Sequence, residues 1–159
     1  MIQEKNAQGT IEYLIVLAII VVIGLIVVTL LLQFTDAGRG LRQNDSEIKW
    51  RSATPFAIVN HVQSDRNLTV VLKNNTASSI NFVKLCVGGN NVDCNSEARL
   101  NVAPNATINV IVRDLNYTAA CTGGASYSFA KAGIFIDYNN SDIASHTQPG
   151  AADLIGTCT

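Results

Sequence analysis

The chain has 159 residues and a net charge of −1, enough for one domain of ordinary size with an appendage. Near neutrality, with Lys and Arg scattered, excludes a basic nucleic-acid surface and an acidic tail, so no nucleic-acid partner is expected. Only 14% of residues are charged, against about 25% in an average soluble domain, and most of the apolar surplus lies near the N-terminus.

That surplus is the run Tyr13–Leu32, 20 residues without a charge. As a helix it spans about 30 Å, the thickness of a bilayer core. Its Val and Ile content would suit a strand, but buried strands usually run about 4 to 8 residues. In hydrocarbon a helix satisfies its own backbone, and a lone strand cannot. The run predicts a helix, and three roles compete for it. A cleaved secretory signal should have an apolar core of about 7 to 15 residues after a basic start and before a small-residue cleavage site. Here the run is longer, the start carries Glu4 beside Lys5, and no A-x-A follows Leu32. A membrane anchor and an assembly helix both fit the run itself.

The residues just before it separate these two. Glu12 sits at the edge of an uninterrupted apolar helix, where a carboxylate is costly to desolvate. In the first turns of a helix it gains about 0.3 to 1 kcal/mol from the positive end of the macrodipole. The segment Gln8-Gly9-Thr10-Ile11-Glu12-Tyr13-Leu14, followed by the Ile/Val/Leu run, resembles the class III signal of archaeal type IV pilins. In that family a membrane-embedded prepilin peptidase cuts ahead of the Gln, and the apolar helix stays on the subunit and packs in the filament core. The resemblance covers about 25 residues. It implies cleavage between Ala7 and Gln8, and Glu12 as the fifth residue of the mature chain in the family's glutamate position. It further implies self-assembly into a helical polymer, with the prepilin peptidase, the pilus assembly machinery and the membrane as earlier partners. Two features depart from the family pattern: Glu4 offsets the positive charge of Lys5, and Ala rather than Gly precedes the cut. Archaellins, which are related, start differently. Gly24, the one Gly of the run, would permit close helix approach, although Gly is frequent in membrane helices generally.

After Leu32 the pattern turns polar. Gly38 and Gly40 weaken the helix, and a hinge or helix end is expected there. Leu41–Trp50 resumes a turn or two, with Leu41, Ile48 and Trp50 expected on related faces. Pro55 ends any continuation.

From Pro55 onward the reading is β. Strand candidates are Phe56–Val62, Leu68–Lys73, Ile80–Val87, Arg99–Val102, Thr107–Asp114 and Tyr127–Tyr138, separated by Asn- and Gly-rich breakers. Ile108, Val110 and Val112 should share one face. Ile80, Phe82 and Cys86 should share another, with Asn81 and Lys84 on opposite faces. The fold class expected is α+β, a long N-terminal hydrophobic helix followed by a mainly antiparallel, sandwich-like domain. The divisions are a leader over 1–7, a helix and hinge over 8–52, and a β-rich outer domain over 53–159.

All four cysteines, Cys86, Cys94, Cys121 and Cys158, lie in the β region. Four allow three pairings. Cys86 with Cys94 would close a hairpin, and Cys121 with Cys158 would then pin the C-terminal end. Disulfides suit an exported domain. Zinc usually needs paired short spacings, which Cys86-x₇-Cys94 does not offer, and free thiols are the third option. Six Asn-x-Ser/Thr sequons, at Asn44, Asn67, Asn74, Asn105, Asn116 and Asn139, are candidate glycan sites on a surface domain.

There is no G-x-S-x-G elbow, P-loop or dinucleotide fingerprint, and the two histidines, His61 and His146, are far apart in sequence. Neither an enzyme nor a cofactor or metal is expected. Two functions stand. One is a filament subunit, made at the membrane and carried to the cell surface, with its β domain outward for adhesion. The alternative is a single-pass anchored extracellular binding protein, with a minor pilin between them.

Overall fold

The computed structural model describes residues 4–88, 92–95, 100–116, 121–140 and 145–159, the side chains of 4–10, 34–39 and 92 excepted. It is α+β, with one long apolar helix and antiparallel sheets. By contact the chain divides into Met1–Leu41 and Arg42–Thr159.

Helix α1 runs from Glu4 to Arg51, 48 residues. The helix end expected at Gly38–Gly40 is not found. Each Gly costs about 1 kcal/mol against Ala, but neither removes a backbone donor, so the hydrogen-bond ladder continues. The end comes just before Pro55. There the Asn75 side-chain amide donates to the carbonyls of Arg51 and Ala53, both at 3.1 Å, satisfying groups that a helix C-terminus leaves open. Lys49 and Arg51 in the last turn complement the dipole.

The second unit keeps the last turns of α1. Trp50 is 1% exposed in its core, and the Ser46 hydroxyl donates to the Asp153 carbonyl. Leu41 and Ile48 are instead 72% and 69% exposed. The shared face expected for all three is therefore wrong for Trp50. At about 100° per residue, position 50 points some 160° away from position 48.

Ten strands follow: β1 (Phe56–Ser64), β2 (Asn67–Asn74), β3 (Ile80–Gly88), β4 (Val92–Cys94), β5 (Leu100–Val102), β6 (Thr107–Val112), β7 (Ser126–Phe129), β8 (Phe135–Asn139), β9 (His146–Pro149) and β10 (Leu154–Thr157) among the described residues. One sheet has the order β1-β2-β6. A second has the order β4-β3-β8-β9, with β5 also on β3, and β7 pairs β10. Their inner faces share one core. Phe56 of β1 meets Phe82 of β3 edge-on with centroids 6.0 Å apart, and Leu68, Leu72, Val110, Leu85 and Ile136 are fully buried around them.

Alternation sets the faces where the pairing is regular. In β6, Val110 and Val112 are buried and Ile108 is half-buried against the core, as expected. In β3 the expectation fails. A register irregularity between Phe82 and Lys84 inserts one residue against β8, which reverses the phase of the strand. Ile80 and Phe82 face the core before it, and Leu85 and Val87 after it. Cys86 is thereby out of phase with Leu85 and Val87, and it is fully buried in its bond to Cys94. Asn81 and Lys84, expected on opposite faces, fall on the same one. Lys84 pairs there with Asp137 at 3.3 Å.

The single strand expected over Tyr127–Tyr138 is two. A 3-10 turn at Lys131–Gly133 divides β7 from β8. The Lys131 amide donates to Asp153 Oδ1 at 2.7 Å, so a distant loop fixes the break.

Candidate functional site

The apolar span is the most distinctive part of the chain. Ile11–Gln33, 23 residues with mean hydropathy 3.5, is long and apolar enough to cross a membrane, and none of it is buried within the molecule. β-branched residues lose side-chain freedom in helices, and in water this composition would be a poor helix former. In hydrocarbon the intrahelical hydrogen bonds decide the matter. The one hydroxyl deep in the span is satisfied internally, since Thr29 Oγ1 donates to the Leu25 carbonyl at 2.8 Å. Large apolar side chains from Ile11 to Leu32 are between 46% and 67% exposed all round the helix. Such a surface fits lipid or the interior of a bundle.

Glu12 lies at the start of this span and is exposed. At Gly24 an added Cβ would meet nothing within 4 Å, so the Gly leaves a shallow notch in the isolated helix. Ala7 and Gln8 fall within α1, and their side chains lie outside the described residues.

In the second unit the cysteines form Cys86–Cys94 and Cys121–Cys158. Cys86 and Cys94 are direct cross-strand partners, so their side chains leave the sheet on the same face. Cys121–Cys158 spans 37 residues of sequence. It ties the C-terminal segment to a turn that bridges back to Asp65.

The six sequon asparagines separate by environment. Asn44, Asn105 and Asn116 are exposed. Asn67 and Asn139 are half-buried and accept backbone hydrogen bonds from Asp114 and Ser145. Asn74 is 0% exposed. Its amide donates to the Ser78 and Val102 carbonyls at 2.8 and 2.9 Å, and its Oδ1 accepts from the amide and hydroxyl of Thr76. Asn74 is corrected from a glycan candidate to a structural residue. A glycan on its nitrogen would displace these bonds and has no route out of the core.

One cleft stands out for its polar groups. It has a volume of about 470 Å³ and lies between the last turns of α1 and strands β1 and β10, with Gln43, Glu47, Trp50, His61 and Thr157 on its walls. His61 Nδ1 is 2.6 Å from the Tyr127 hydroxyl. The ring of Tyr127 lies directly over Gly156, its cross-strand partner. A Cβ there would come within 2.5 Å of the Tyr127 oxygen, so only Gly fits.

Burial raises the Tyr127 pKa and keeps the phenol protonated. Burial also lowers the His61 pKa, with Glu47 opposing in part. A protonated phenol and a neutral imidazole thus share this hydrogen bond, the tautomer of His61 setting which of them donates. Because the folded pKa of His61 lies below its unfolded value, the unfolded chain binds the proton more readily. This contribution to stability is complete above about pH 6.5 and is lost as pH falls toward the folded pKa. The thermal midpoint is expected to drop as pH falls below about 6.5, and His61→Gln is expected to flatten that drop in a pH series of melting curves.

Asp137 accepts from Thr147 Oγ1 at 2.6 Å as well as from Lys84, and Tyr138 stacks on His146 with centroids 5.1 Å apart. Among the described residues no three His, Cys, Asp or Glu side chains are grouped to hold a metal ion.

No protein-family model, characterised protein or solved structure matches the chain.

Sequence reasoning did not find the core role of Trp50, the His61–Tyr127 bond or the amide of Gln148. Gln148 bonds both the amide and the carbonyl of Phe56, at 2.9 and 2.8 Å, and so joins β9 to β1. Each joins residues separated by dozens of positions in sequence, and no local pattern marks them.

Proposed function

We propose that the chain is a structural subunit of an archaeal type IV pilus filament, polymerising through α1 and presenting the β domain outward for adhesion or surface contact. The observation that carries this reading is the run Tyr13–Leu32, apolar on every face and exposed throughout, directly preceded by Gln8-Gly9-Thr10-Ile11-Glu12. Before assembly lipid covers that surface. In a filament, copies of the helix cover one another, and burial contributes about 25 cal/mol per Å² relative to water. A contact repeated head-to-tail without closing makes a fibre. The two disulfides suit an extracytoplasmic domain. Asn44, Asn105 and Asn116 are the acceptors best placed for glycans.

The test is intact mass with N-terminal sequencing of material sheared from the cell exterior. A chain beginning at Gln8, with the helix retained and filaments visible in micrographs, supports the proposal, and excess mass reports glycans. A chain beginning at Met1 in a detergent-extracted membrane fraction overturns it in favour of an anchored binding protein. A chain beginning beyond Leu32 would make the helix a discarded signal.

A further inference from the structure

Among the described residues β1 pairs only with β2, and β10 only with β7. The two strands meet at one point, where the Thr159 amide donates to the Gln63 carbonyl at 3.1 Å. Toward His61 they part. An irregularity between Ile58 and Asn60 inserts one residue into β1, and the His61 amide is taken up locally by Asn60 Oδ1 at 2.8 Å. Bulges bend a strand and are frequent beside functional sites. The opening is the cleft of about 470 Å³, walled on its third side by the last turns of α1. Small-molecule sites span about 300 to 1,000 Å³.

The groups around this cleft are polar and balanced in charge, since Glu47 and Arg51 carry opposite signs. Glu47 is half-buried and lies four residues from both Gln43 and Arg51, so the three share one face of α1. Its carboxylate is held loosely. Gln43 Nε2 lies 3.4 Å from one oxygen and Arg51 Nη2 3.7 Å from the other. A good charge-assisted bond is about 2.7 to 2.9 Å, so the carboxylate keeps acceptor capacity for a ligand. Thr157 adds an exposed residue with a hydroxyl from β10. Trp50 forms part of the wall, and its buried indole N–H has no acceptor among the described residues. One guanidinium offset by a carboxylate does not suit a phosphate or an acidic polymer. A rim of amides, charges and a hydroxyl does not suit a lipid. Alternating donors and acceptors do suit neighbouring hydroxyls, each of which both donates and accepts.

We propose that this cleft binds an uncharged sugar, with Glu47 accepting hydrogen bonds from its hydroxyls and Gln43, Arg51 and Thr157 bonding its oxygens. A sugar ring carries hydroxyls on adjacent carbons, and these match the amide, carboxylate and guanidinium set in a row along α1. Two sources carry this chemistry, a surface outside the cell and a glycan on another copy of the chain. The contact is made by the cleft and not by the apolar run, so it holds whether the chain polymerises or stays anchored.

The experiment uses the full chain, extracted in a detergent without a sugar headgroup. Trp50 is the single tryptophan of the chain, so its emission reports on the cleft. Glucose, galactose, mannose and N-acetylglucosamine are titrated, with glycerol as a polyol control. At least one sugar should give a saturable change in emission with a Kd of about 1 mM or tighter, and glycerol should give none. Glu47→Gln and Thr157→Val should each weaken binding at least about tenfold with the melting temperature unchanged. Lys84→Gln, outside the cleft, should bind as the parent does. Thr157→Val decides the matter if Glu47→Gln also lowers the melting temperature. A response in the parent chain supports the site and points to an external sugar. A response that appears only when Asn44, Asn105 and Asn116 are all changed to Gln supports the site and assigns it to the protein's own glycan. No saturable response in either chain, or cleft variants that keep the parent's affinity, would overturn the proposal.

Discussion

A chain beginning at Arg42 should fold, remain in solution as a monomer and unfold in one cooperative transition, whereas a chain beginning at Ala53 should be less stable by about 3 to 5 kcal/mol. The first loses every residue of the exposed apolar span and keeps the compact unit Arg42–Thr159. The second loses Trp50, which is 1% exposed and among the largest side chains of the core. Its removal leaves a cavity beside Ile58 and His61, which line the same region, and also removes the carbonyl of Arg51 that Asn75 caps. Size-exclusion chromatography with light scattering checks the first expectation, and urea unfolding midpoints check the second. Equal stability of the two chains would show that the last turns of α1 are dispensable to the domain.

On the proposed filament reading, Glu12→Gln should leave the precursor in the membrane and reduce assembled filament by at least about tenfold, with Glu12→Asp retaining part of the assembly. After a cut before Gln8 the new amine lies four residues from Glu12, about one helical turn away on the same side. Either the same chain or a neighbour can bring that amine to the carboxylate. A charge-assisted hydrogen bond contributes about 1.5 to 3 kcal/mol, and every subunit added to a polymer makes it again. The carboxylate is costly to bury unpaired at the edge of so apolar a segment. Gln keeps the shape of the side chain and removes its charge, so the comparison isolates the electrostatic part. Filaments of normal yield from Glu12→Gln would end the pairing account. Cyclisation of Gln8, in which its amine attacks the side-chain amide carbonyl and ammonia leaves, would be visible as the loss of one ammonia in the intact mass, and by removing the positive charge it would shift the carboxylate to other partners.

The two predictions draw on different levels of information. Glu12 and the span behind it were legible in the sequence, because their physics is local. A long uncharged run must be helical in hydrocarbon whatever surrounds it, and one carboxylate at its edge needs no tertiary contact to be noticed. The β character after Pro55, the faces of β6 and the pairing proposed for the cysteines were also readable. Period-two alternation and breaker residues act over a few positions.

Tertiary structure decided the rest. One inserted residue in β3 reversed the faces of Lys84 and Cys86, because phase in a strand is lost with a single irregularity. The 3-10 turn that splits β7 from β8 is held by Asp153, some 22 residues away. Strands β4, β9 and β10 are three or four residues long and lack alternation strong enough to see. Asn74 matched a surface motif, yet its neighbours made it a core hydrogen-bond hub. Trp50 and Ile48 sit two residues apart on one helix, one in the core and one exposed. The sequence determined that this chain carries a membrane-length helix and a β domain, since both follow from local composition and period. Which side chains that domain buries, Trp50 of α1 among them, depended on long-range packing that no short window of residues contains.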